Sequence, residues 1–215
     1  MSELLTRSIT GAVLVAVVVF TTCYSFGTSV LFWALVTVLG VRELLQNSMG
    51  TFLGSVLLAI TAASVVGLGF FSFSDEVFQF DLGSYNGLNS VAFLCVIWAN
   101  DSFAYLGGMA LGMKFISKGL SPMISPKKSW EGALIGSLFS ALVAYLFIGT
   151  LGIFLGLFIG ILATLSDLIE SKAKRKVGIK DSGTLLPGHG GVLDRFDALL
   201  LSAPFIFIVI YIISQ

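Results

Sequence analysis

The chain has 215 residues, of which 56% are hydrophobic and only 11% are charged, and its formal net charge is zero. A soluble globular domain carries roughly 25% charged residues, so this chain cannot cover a water-facing surface of ordinary polarity. The same composition excludes an intrinsically disordered chain, and the zero net charge argues against a free-standing nucleic-acid binder. The two cysteines lie in apolar runs and supply neither a disulfide framework nor a metal cluster. The remaining class is an all-α, polytopic transmembrane helix bundle.

Apolar runs long enough to cross a bilayer predict about seven spans. They are Ile9–Phe26, Ser29–Leu45, Thr51–Phe73, Leu88–Gly112, Trp130–Ile148, Leu151–Leu168 and Phe196–Ile213. The second is the least regular, because Arg42 and Glu43 lie near its end. The first follows Arg7 but lacks an A-x-A cleavage site, so we expect a retained helix rather than a signal peptide.

The placement of charge predicts the orientation of these spans. With the N-terminus in the cytoplasm, all 12 lysines and arginines fall on one side. The other side receives the 74–87 loop, with Asp75, Glu76 and Asp81. This is the positive-inside pattern, and it predicts a cytoplasmic N-terminus and a C-terminus on the opposite side.

Spans five and six carry small residues at every fourth position. The two series are Gly132, Gly136, Ser140, Ala144 and Gly152, Gly156, Gly160, Thr164. Small residues at this spacing let helix backbones approach closely in lipid. We therefore predict that the two spans form a tight helical hairpin.

The first of three polar clusters is Asn100-Asp101-Ser102, within the fourth span. An Asp inside a span costs on the order of 2.5–3.5 kcal/mol on insertion scales, so such residues usually have a function. Helical spacing places Asp101, Tyr105, Gly108 and Gly112 on one face, which we expect to point into the bundle. A hydrogen bond between helices is the alternative role for Asp101.

The second cluster runs from residue 124 to 132 and reads Ile-Ser-Pro-Lys-Lys-Ser-Trp-Glu-Gly. Ser129 is predicted as a helix N-cap, and Glu131 falls in the first turn, where a negative charge favours the helix dipole. Lys127 and Lys128 suit two roles equally well, phosphate binding and anchoring at the lipid surface.

The third cluster, residues 166–197, holds six of the 12 basic residues, five of the 12 acidic ones and the only histidine. The sixth helix is expected to run on to Val177 before Gly178 stops it. Asp167, Ser171 and Lys174 then share one face. Residues 187–191, Pro-Gly-His-Gly-Gly, form a loop able to bring backbone N–H groups close to an anion. Asp194 and Asp197 follow one turn apart, where they could also compensate a helix dipole.

Carboxylates beside basic groups and a glycine-rich loop suit a divalent cation together with phosphates. Mg²⁺ is usually held by one or two carboxylates plus substrate phosphates. His189 has no second His or nearby Cys, which argues against a zinc site. The chain also lacks the G-x-x-x-x-G-K-[ST] motif of P-loop ATPases.

The third cluster resembles the signature of the phosphatidate cytidylyltransferase family, also called CDP-diacylglycerol synthases. The matching positions are Ser171, Lys174, Arg175, Lys180, Asp181, Gly183, Pro187, His189, Gly190, Gly191, Asp194, Arg195 and Asp197. The other clusters match too, through Asn100-Asp101 with Ala104-Tyr105 and through residues 125–128 and 130–132. The resemblance runs from about residue 96 to 200. Met109 stands where relatives usually have a basic residue, and Ser129 replaces the usual Thr.

The resemblance implies transfer of CMP from CTP to phosphatidic acid, giving CDP-diacylglycerol and pyrophosphate. It implies Mg²⁺, with Asp167 and Asp194 as ligands, and leaves room for a second cation. The residues it implies in catalysis are Asp167, Asp194, Lys174, Arg175, Lys180, Asp181, His189, Arg195 and Asp197. Those it implies in substrate binding are Asp101, Lys127, Lys128, Ser171, Gly190 and Gly191.

On this interpretation residues 1–95 are N-terminal transmembrane helices. Residues 96–215 form the catalytic membrane region, with cytoplasmic loops at 113–129 and 169–195. The partners expected are CTP, phosphatidic acid and membrane lipid, with no nucleic acid, and a homodimer is compatible with the sequence. The location expected is the bacterial inner (plasma) membrane, with the active site facing the cytoplasm.

Three other functions differ from this one in their sequence features or their products. A transporter or channel would have its charges near the bilayer midplane, whereas here they gather at one face. A CTP-dependent polyprenol kinase would release CDP instead of pyrophosphate. A CDP-alcohol phosphatidyltransferase would carry a D-G-x-x-A-R motif, which is absent.

Overall fold

The computed structural model describes residues 3–74 and 77–215, so the loop residues Asp75 and Glu76 lie outside the described part of the chain. The helices are α1 (Glu3–Tyr24), α2 (Phe26–Gln46), α3 (Thr51–Leu68), α4 (Gly87–Leu111), α5 (Trp130–Ile148), α6 (Thr150–Lys176), α7 (Leu193–Phe196) and α8 (Leu199–Ile213). Strands β1 (Phe71–Ser74) and β2 (Val77–Phe80) form a hairpin between α3 and α4. The predicted all-α membrane bundle is confirmed, with this hairpin as an addition.

Six segments of the described residues are long and apolar enough to cross a membrane: α1, α2, α4, α5, α6 and the combined α7–α8 segment, Leu193–Ile213. The third predicted span is shorter, with an apolar helix over Phe52–Leu68. Its predicted end at Phe73 is wrong, because the chain turns at Gly69 and Phe71 already pairs with Phe80 in the hairpin. The protein is therefore an integral membrane protein with six long spans and one shorter apolar helix.

The hairpin lies at the N-terminal end of α4, whereas the polar residues of α4 are in its C-terminal half. The Phe71 ring packs on Phe80 at 5.0 Å and on Phe207 of α8 at 5.6 Å between ring centroids. Tyr85 donates a hydrogen bond to the carbonyl of Thr22 at 3.0 Å, and burial raises the pKa of this phenol, which favours the neutral donor. Aromatic packing thus ties the hairpin to α8, and the hydrogen bond of Tyr85 ties the segment after the hairpin to α1.

The predicted close approach of α5 and α6 is confirmed. A Cβ added to Gly152 would lie 2.3 Å from the carbonyl oxygen of Ala144, and one on Gly156 would lie 2.5 Å from that of Ser140. The first half of the α5 series serves another interface, because a Cβ on Gly136 would lie 2.7 Å from the carbonyl oxygen of Asn100 in α4. Small residues therefore pack α5 tightly against both α4 and α6.

The last span is interrupted between α7 and α8, and neighbouring helices form hydrogen bonds with it near the interruption. Ser166 of α6 accepts a hydrogen bond from the Leu201 amide at 3.1 Å and donates one to the Asp197 carbonyl. Pro204, inside α8, has no N–H to donate to the carbonyl of Leu200 four residues earlier. The Thr61 hydroxyl of α3 donates to that carbonyl at 3.3 Å. Neighbouring helices thus supply the hydrogen bonds that the break removes.

Candidate active site

A cavity of about 870 Å³ opens between the C-terminal half of α4, the start of α5, the middle of α6 and the start of the last span. Its wall includes Asp101, Tyr105, Gly108 and Gly112, so the predicted polar face of α4 does point into the bundle. The charged residues around it are Asp101, Lys127, Lys128, Asp167, Asp194, Arg195 and Asp197. All three polar clusters of the sequence therefore meet at one cavity.

Asp167 lies on α6 and has two side-chain partners. Lys128, from the loop before α5, forms an ion pair with Asp167 Oδ2. Ser171, one turn further along α6, donates to Asp167 Oδ1 at 3.1 Å. A carboxylate held between an ammonium and a hydroxyl is oriented toward the cavity by residues from two of the predicted clusters.

Asp194 is buried and its two oxygens have separate partners. Oδ1 accepts from Lys174 Nζ at 2.7 Å, and Oδ2 accepts from the amides of Ser182 and Gly191, each at 2.8 Å. Lys174 Nζ also lies 2.6 Å from Oε2 of Glu170. The predicted face of α6 is confirmed in this respect, since Ser171 contacts one cavity aspartate and Lys174 the other.

The two glycines after His189 make room for carboxylates of the protein itself. Gly190 has a φ of +83°, and a Cβ on it would lie 2.7 Å from Asp194 Oδ2. A Cβ on Gly191 would lie 2.1 Å from the hydroxyl of Ser182 and 2.5 Å from Oε2 of Glu43. The loop does bring N–H groups to anions, and the anions in this structure are Asp194 and Glu43. Phosphate contacts of Gly190 and Gly191 stay predictions.

The tip of the same loop rests on α1. Arg7 Nε donates to the carbonyl of Gly188 at 2.7 Å, and His189 Nε2 lies 3.3 Å from the position of a Cβ on Gly11. His189 is not part of the cavity wall described above. Its catalytic role stays a prediction.

Three more predicted residues are not among those that line the cavity. Arg175 donates at 2.8 Å to the carbonyl of Ile179, which lies beyond the end of α6, and Lys180 and Asp181 are exposed. Their roles in binding or catalysis stay predictions. The groups that line the cavity itself are fewer than the sequence signature suggests.

The structure adds glutamates to which the sequence assigned no site role. Glu131 is in the first turn of α5 as predicted, behind the confirmed N-cap Ser129. Its carboxylate, however, accepts from the backbone amides of Met113 at 3.2 Å, Phe115 at 3.0 Å and Ile116 at 2.8 Å. Glu43 and Glu170 are buried as well. A glutamate in an apolar span was the available signal, because burying a charge is costly unless it has partners.

The donor set suits a hard divalent cation shared with phosphates. Four carboxylates line the cavity, and such oxygens are what Mg²⁺ prefers. Among the described residues no group of three or more acidic, histidine or cysteine side chains could hold a metal ion. In proteins Mg²⁺ is usually held by one or two carboxylates, with phosphates and water as its other ligands.

The model of the cytidylyltransferase family matches residues 8–213, so the family's pattern includes the N-terminal helices and is not limited to residues 96–200. The chain is similar to the phosphatidate cytidylyltransferases of Rickettsia bellii (38% identity; 59% of this chain, 60% of the relative) and Haemophilus influenzae (41%; 56% and 45%). It is also similar to the one from Bacillus subtilis, with 36% identity over 60% of this chain and 49% of the relative. These matches span about half the length of the curated relatives. The family match extends over nearly all of the chain, and the chain belongs to the cytidylyltransferase family.

Proposed function

We propose that the protein is a phosphatidate cytidylyltransferase, which transfers CMP from CTP to phosphatidic acid and so forms CDP-diacylglycerol and pyrophosphate. The observation that carries the proposal is the cavity itself. It brings four carboxylates and three cationic side chains together inside a membrane bundle of this family. Relatives that bear this name in three bacteria support the choice of substrates.

The charges around the cavity suit the meeting of two polyanions. Both CTP and the headgroup of phosphatidic acid carry phosphates, which repel one another and also repel aspartates. Lys127, Lys128 and Arg195 would bind phosphate oxygens by charge-assisted hydrogen bonds. This pairing would offset the repulsion and align the two reacting groups, and alignment with electrostatic stabilisation supplies most of the catalysis in phosphoryl transfer.

The reaction itself needs no covalent enzyme intermediate. A phosphate oxygen of phosphatidic acid attacks the α-phosphorus of CTP in line, and the bond from that phosphorus to the bridging oxygen of pyrophosphate breaks. The electron pair of the broken bond leaves with pyrophosphate. Bound Mg²⁺ would neutralise charge on the phosphates and on the departing pyrophosphate.

We assign the Mg²⁺ ligands to Asp167 and Asp194, with Asp101 and Asp197 as supports or outer members of the site. Asp194 keeps an accepting lone pair on Oδ1 beyond its bond from Lys174, because a carboxylate oxygen accepts two hydrogen bonds or ligands. Lys174 and Ser171 would then act by holding these two carboxylates in place. Hydrogen bonds from neighbouring side chains fix the orientation of metal ligands in this way.

We place the active site at the cytoplasmic face of the bacterial inner membrane. The positive-inside distribution of the 12 basic residues supports this orientation, with the N-terminus inside. CTP would enter from the cytoplasm, and the lipid tails of phosphatidic acid would stay in the bilayer. A homodimer is a further expectation, to be checked by the mass of the protein in nanodiscs.

The test is a turnover assay with the purified full chain in detergent micelles that contain phosphatidic acid. Labelled CTP and Mg²⁺ should give equimolar pyrophosphate and CDP-diacylglycerol, and removal of either Mg²⁺ by EDTA or phosphatidic acid should abolish both products. CDP with a phosphorylated lipid would indicate a kinase instead. No Mg²⁺-dependent pyrophosphate from folded protein would overturn the proposal.

A further inference from the structure

We infer that Glu43, on the second helix and outside the three polar clusters, is a positioning residue that holds the loop of residues 182–193 and thereby the carboxylate of Asp194. Glu43 is 5% exposed and lies in the last turn of α2. The inference rests on the proposed function only for its effect on turnover. The contact itself is independent of that function.

The carboxylate of Glu43 joins two parts of the loop. Oε1 accepts from the amide of Val192 at 2.8 Å. Oε2 accepts from the amide of Leu193 at 3.0 Å and from the hydroxyl of Ser182 at 2.8 Å. Three neutral donors from both ends of one loop therefore converge on one buried carboxylate.

The same loop presents its amides to Asp194. Ser182 gives its hydroxyl to Glu43 and its amide to Asp194, while Gly191 donates to Asp194 immediately before Val192 donates to Glu43. Asp194 thus accepts from the amides of Ser182 and Gly191, and Glu43 accepts from the Ser182 hydroxyl and from the two amides that follow Gly191. Any movement of the loop away from Glu43 would also move the two amides that fix Asp194 Oδ2.

Other contacts show that the chain leaves space for this arrangement. A Cβ on Gly183 would lie 2.7 Å from Oε1 of Glu43, and one on Gly191 would lie 2.5 Å from Oε2. Asn47, one turn after Glu43, donates from its side chain to the carbonyl of Ser182 at 2.7 Å. The end of α2 therefore packs closely around the loop. In the described part of the chain, Glu43 and Asp194 are the two carboxylates that accept hydrogen bonds from residues 182–193.

Glu43→Gln separates this role from packing. The amide has the same size as the carboxylate, but one of its two ends becomes a donor. Whichever way the amide is turned, its NH₂ group faces the amide of Val192 or that of Leu193, so one buried N–H loses its acceptor. Thr37→Val is the matched control, since Thr37 lies on the same helix and its hydroxyl bonds only to the carbonyl of Trp33 in the described contacts.

The first measurement is amide hydrogen exchange of the full chain in detergent without substrates. Glu43→Gln should speed exchange at residues 182 and 191–193 by about tenfold or more, while α4 and α5 keep wild-type protection. Thr37→Val should leave the loop unchanged. Ser182→Ala, which removes one of the three donors, should speed exchange of the loop about 2- to 10-fold and decides the question if Glu43→Gln does not fold.

The second measurement is turnover against Mg²⁺ concentration. Glu43→Gln should raise the concentration for half-maximal turnover about 10- to 100-fold, as loss of a group that orients a metal ligand does elsewhere. A purely structural defect would reduce the amount of active protein without moving this concentration. Wild-type loop exchange in Glu43→Gln, or faster exchange spread over all helices with an unchanged Mg²⁺ dependence, would overturn the inference. Absence of turnover in the wild type would instead refute the proposed function. Hydrogen exchange alone would then test whether Glu43 holds the loop.

Discussion

Lys174 and Asp194 form a buried ion pair, with 2.7 Å between Nζ and Oδ1 and side chains that are 8% and 4% exposed. The same ammonium lies 2.6 Å from Oε2 of Glu170. One cation of α6 therefore serves two carboxylates, one from its own helix and one from the start of the last span. The pair joins Asp194, which lines the cavity, to the side of α6. Substitution of Lys174 and substitution of Asp194 should therefore have different effects.

Lys174→Met should destabilise the protein, because it leaves two buried carboxylates without their cation. Removing one partner of a buried pair costs about 3–5 kcal/mol. Thermal unfolding in detergent measures this loss. Lys172→Met is the control, since Lys172 lies on the same helix and is exposed, and equal unfolding temperatures for the two variants would contradict the expectation.

Asp194→Asn should abolish turnover while the protein still folds. Lys174 keeps Glu170 as a partner, and the asparagine oxygen can still accept from the amides of Ser182 and Gly191. The lost charge is the one that we assign to Mg²⁺. Pyrophosphate release should fall by about 100-fold or more. Near-normal release from this variant would remove Asp194 from the metal site.

Glu131→Gln should loosen the loop that follows α4. The carboxylate accepts from three amides in residues 113–116, and the amide side chain cannot serve all of them. The expected cost is about 1–3 kcal/mol, seen as a lower unfolding temperature and faster proteolysis between residues 113 and 120. Ser137→Ala, whose hydroxyl bonds within its own helix, should change neither, and equal proteolysis of both variants would disprove the role.

Gly156→Ala should destabilise the α5–α6 contact. Alanine in a helix is usually more favourable than glycine by about 1 kcal/mol. Here its Cβ would lie 2.5 Å from the carbonyl oxygen of Ser140, so the helices must separate, at a cost of about 1–3 kcal/mol. At Gly27 in α2 the nearest atom is 3.8 Å away, and Gly27→Ala should be neutral or stabilising. The order of the two unfolding temperatures checks the prediction.

Lys128→Ala should weaken the handling of phosphate. Lys128 lines the cavity and pairs with Asp167, whereas Lys118 of the same loop is exposed and is not part of the cavity wall. We expect kcat/KM for CTP to fall about 10- to 100-fold in Lys128→Ala and to stay near the wild-type value in Lys118→Ala. Equal values for the two variants would place the role of Lys128 elsewhere.

The local features of this fold follow from the sequence because they depend on neighbours in the chain. Helical periodicity placed Ser171 and Lys174 on the face of Asp167, and the end of α6 falls at Lys176, with Gly178 beyond it at a φ of +76°. Ser129 caps α5 as its residue type predicts. Composition predicted the bundle, and the small residues at every fourth position predicted the close approach of α5 and α6.

The sequence did not predict contacts between residues far apart in the chain. It also did not distinguish an apolar hairpin from the end of an apolar helix. The hydrogen bonds of Glu43 to Val192 and Leu193 span 149 and 150 residues, a distance that no local pattern records. Residues 71–73 are as apolar as a membrane helix, so hydrophobicity alone could not distinguish the hairpin from the end of a span. The sequence predicted that the glycine loop contacts phosphate. It did not indicate that Gly191 makes room for the carboxylate of Glu43.

The contacts of Thr61 and Glu43 with the last span bear on how the chain matures during its synthesis. Leu200 and Val192 leave the ribosome well over a hundred residues after their partners. Until then the carboxylate of Glu43 lacks the amides of Val192 and Leu193 as hydrogen-bond donors. A carboxylate without partners is costly in lipid. Nascent chains stopped before residue 192 should therefore remain loosely assembled and open to membrane proteases. The segment that completes the fold would then also decide whether the protein escapes degradation.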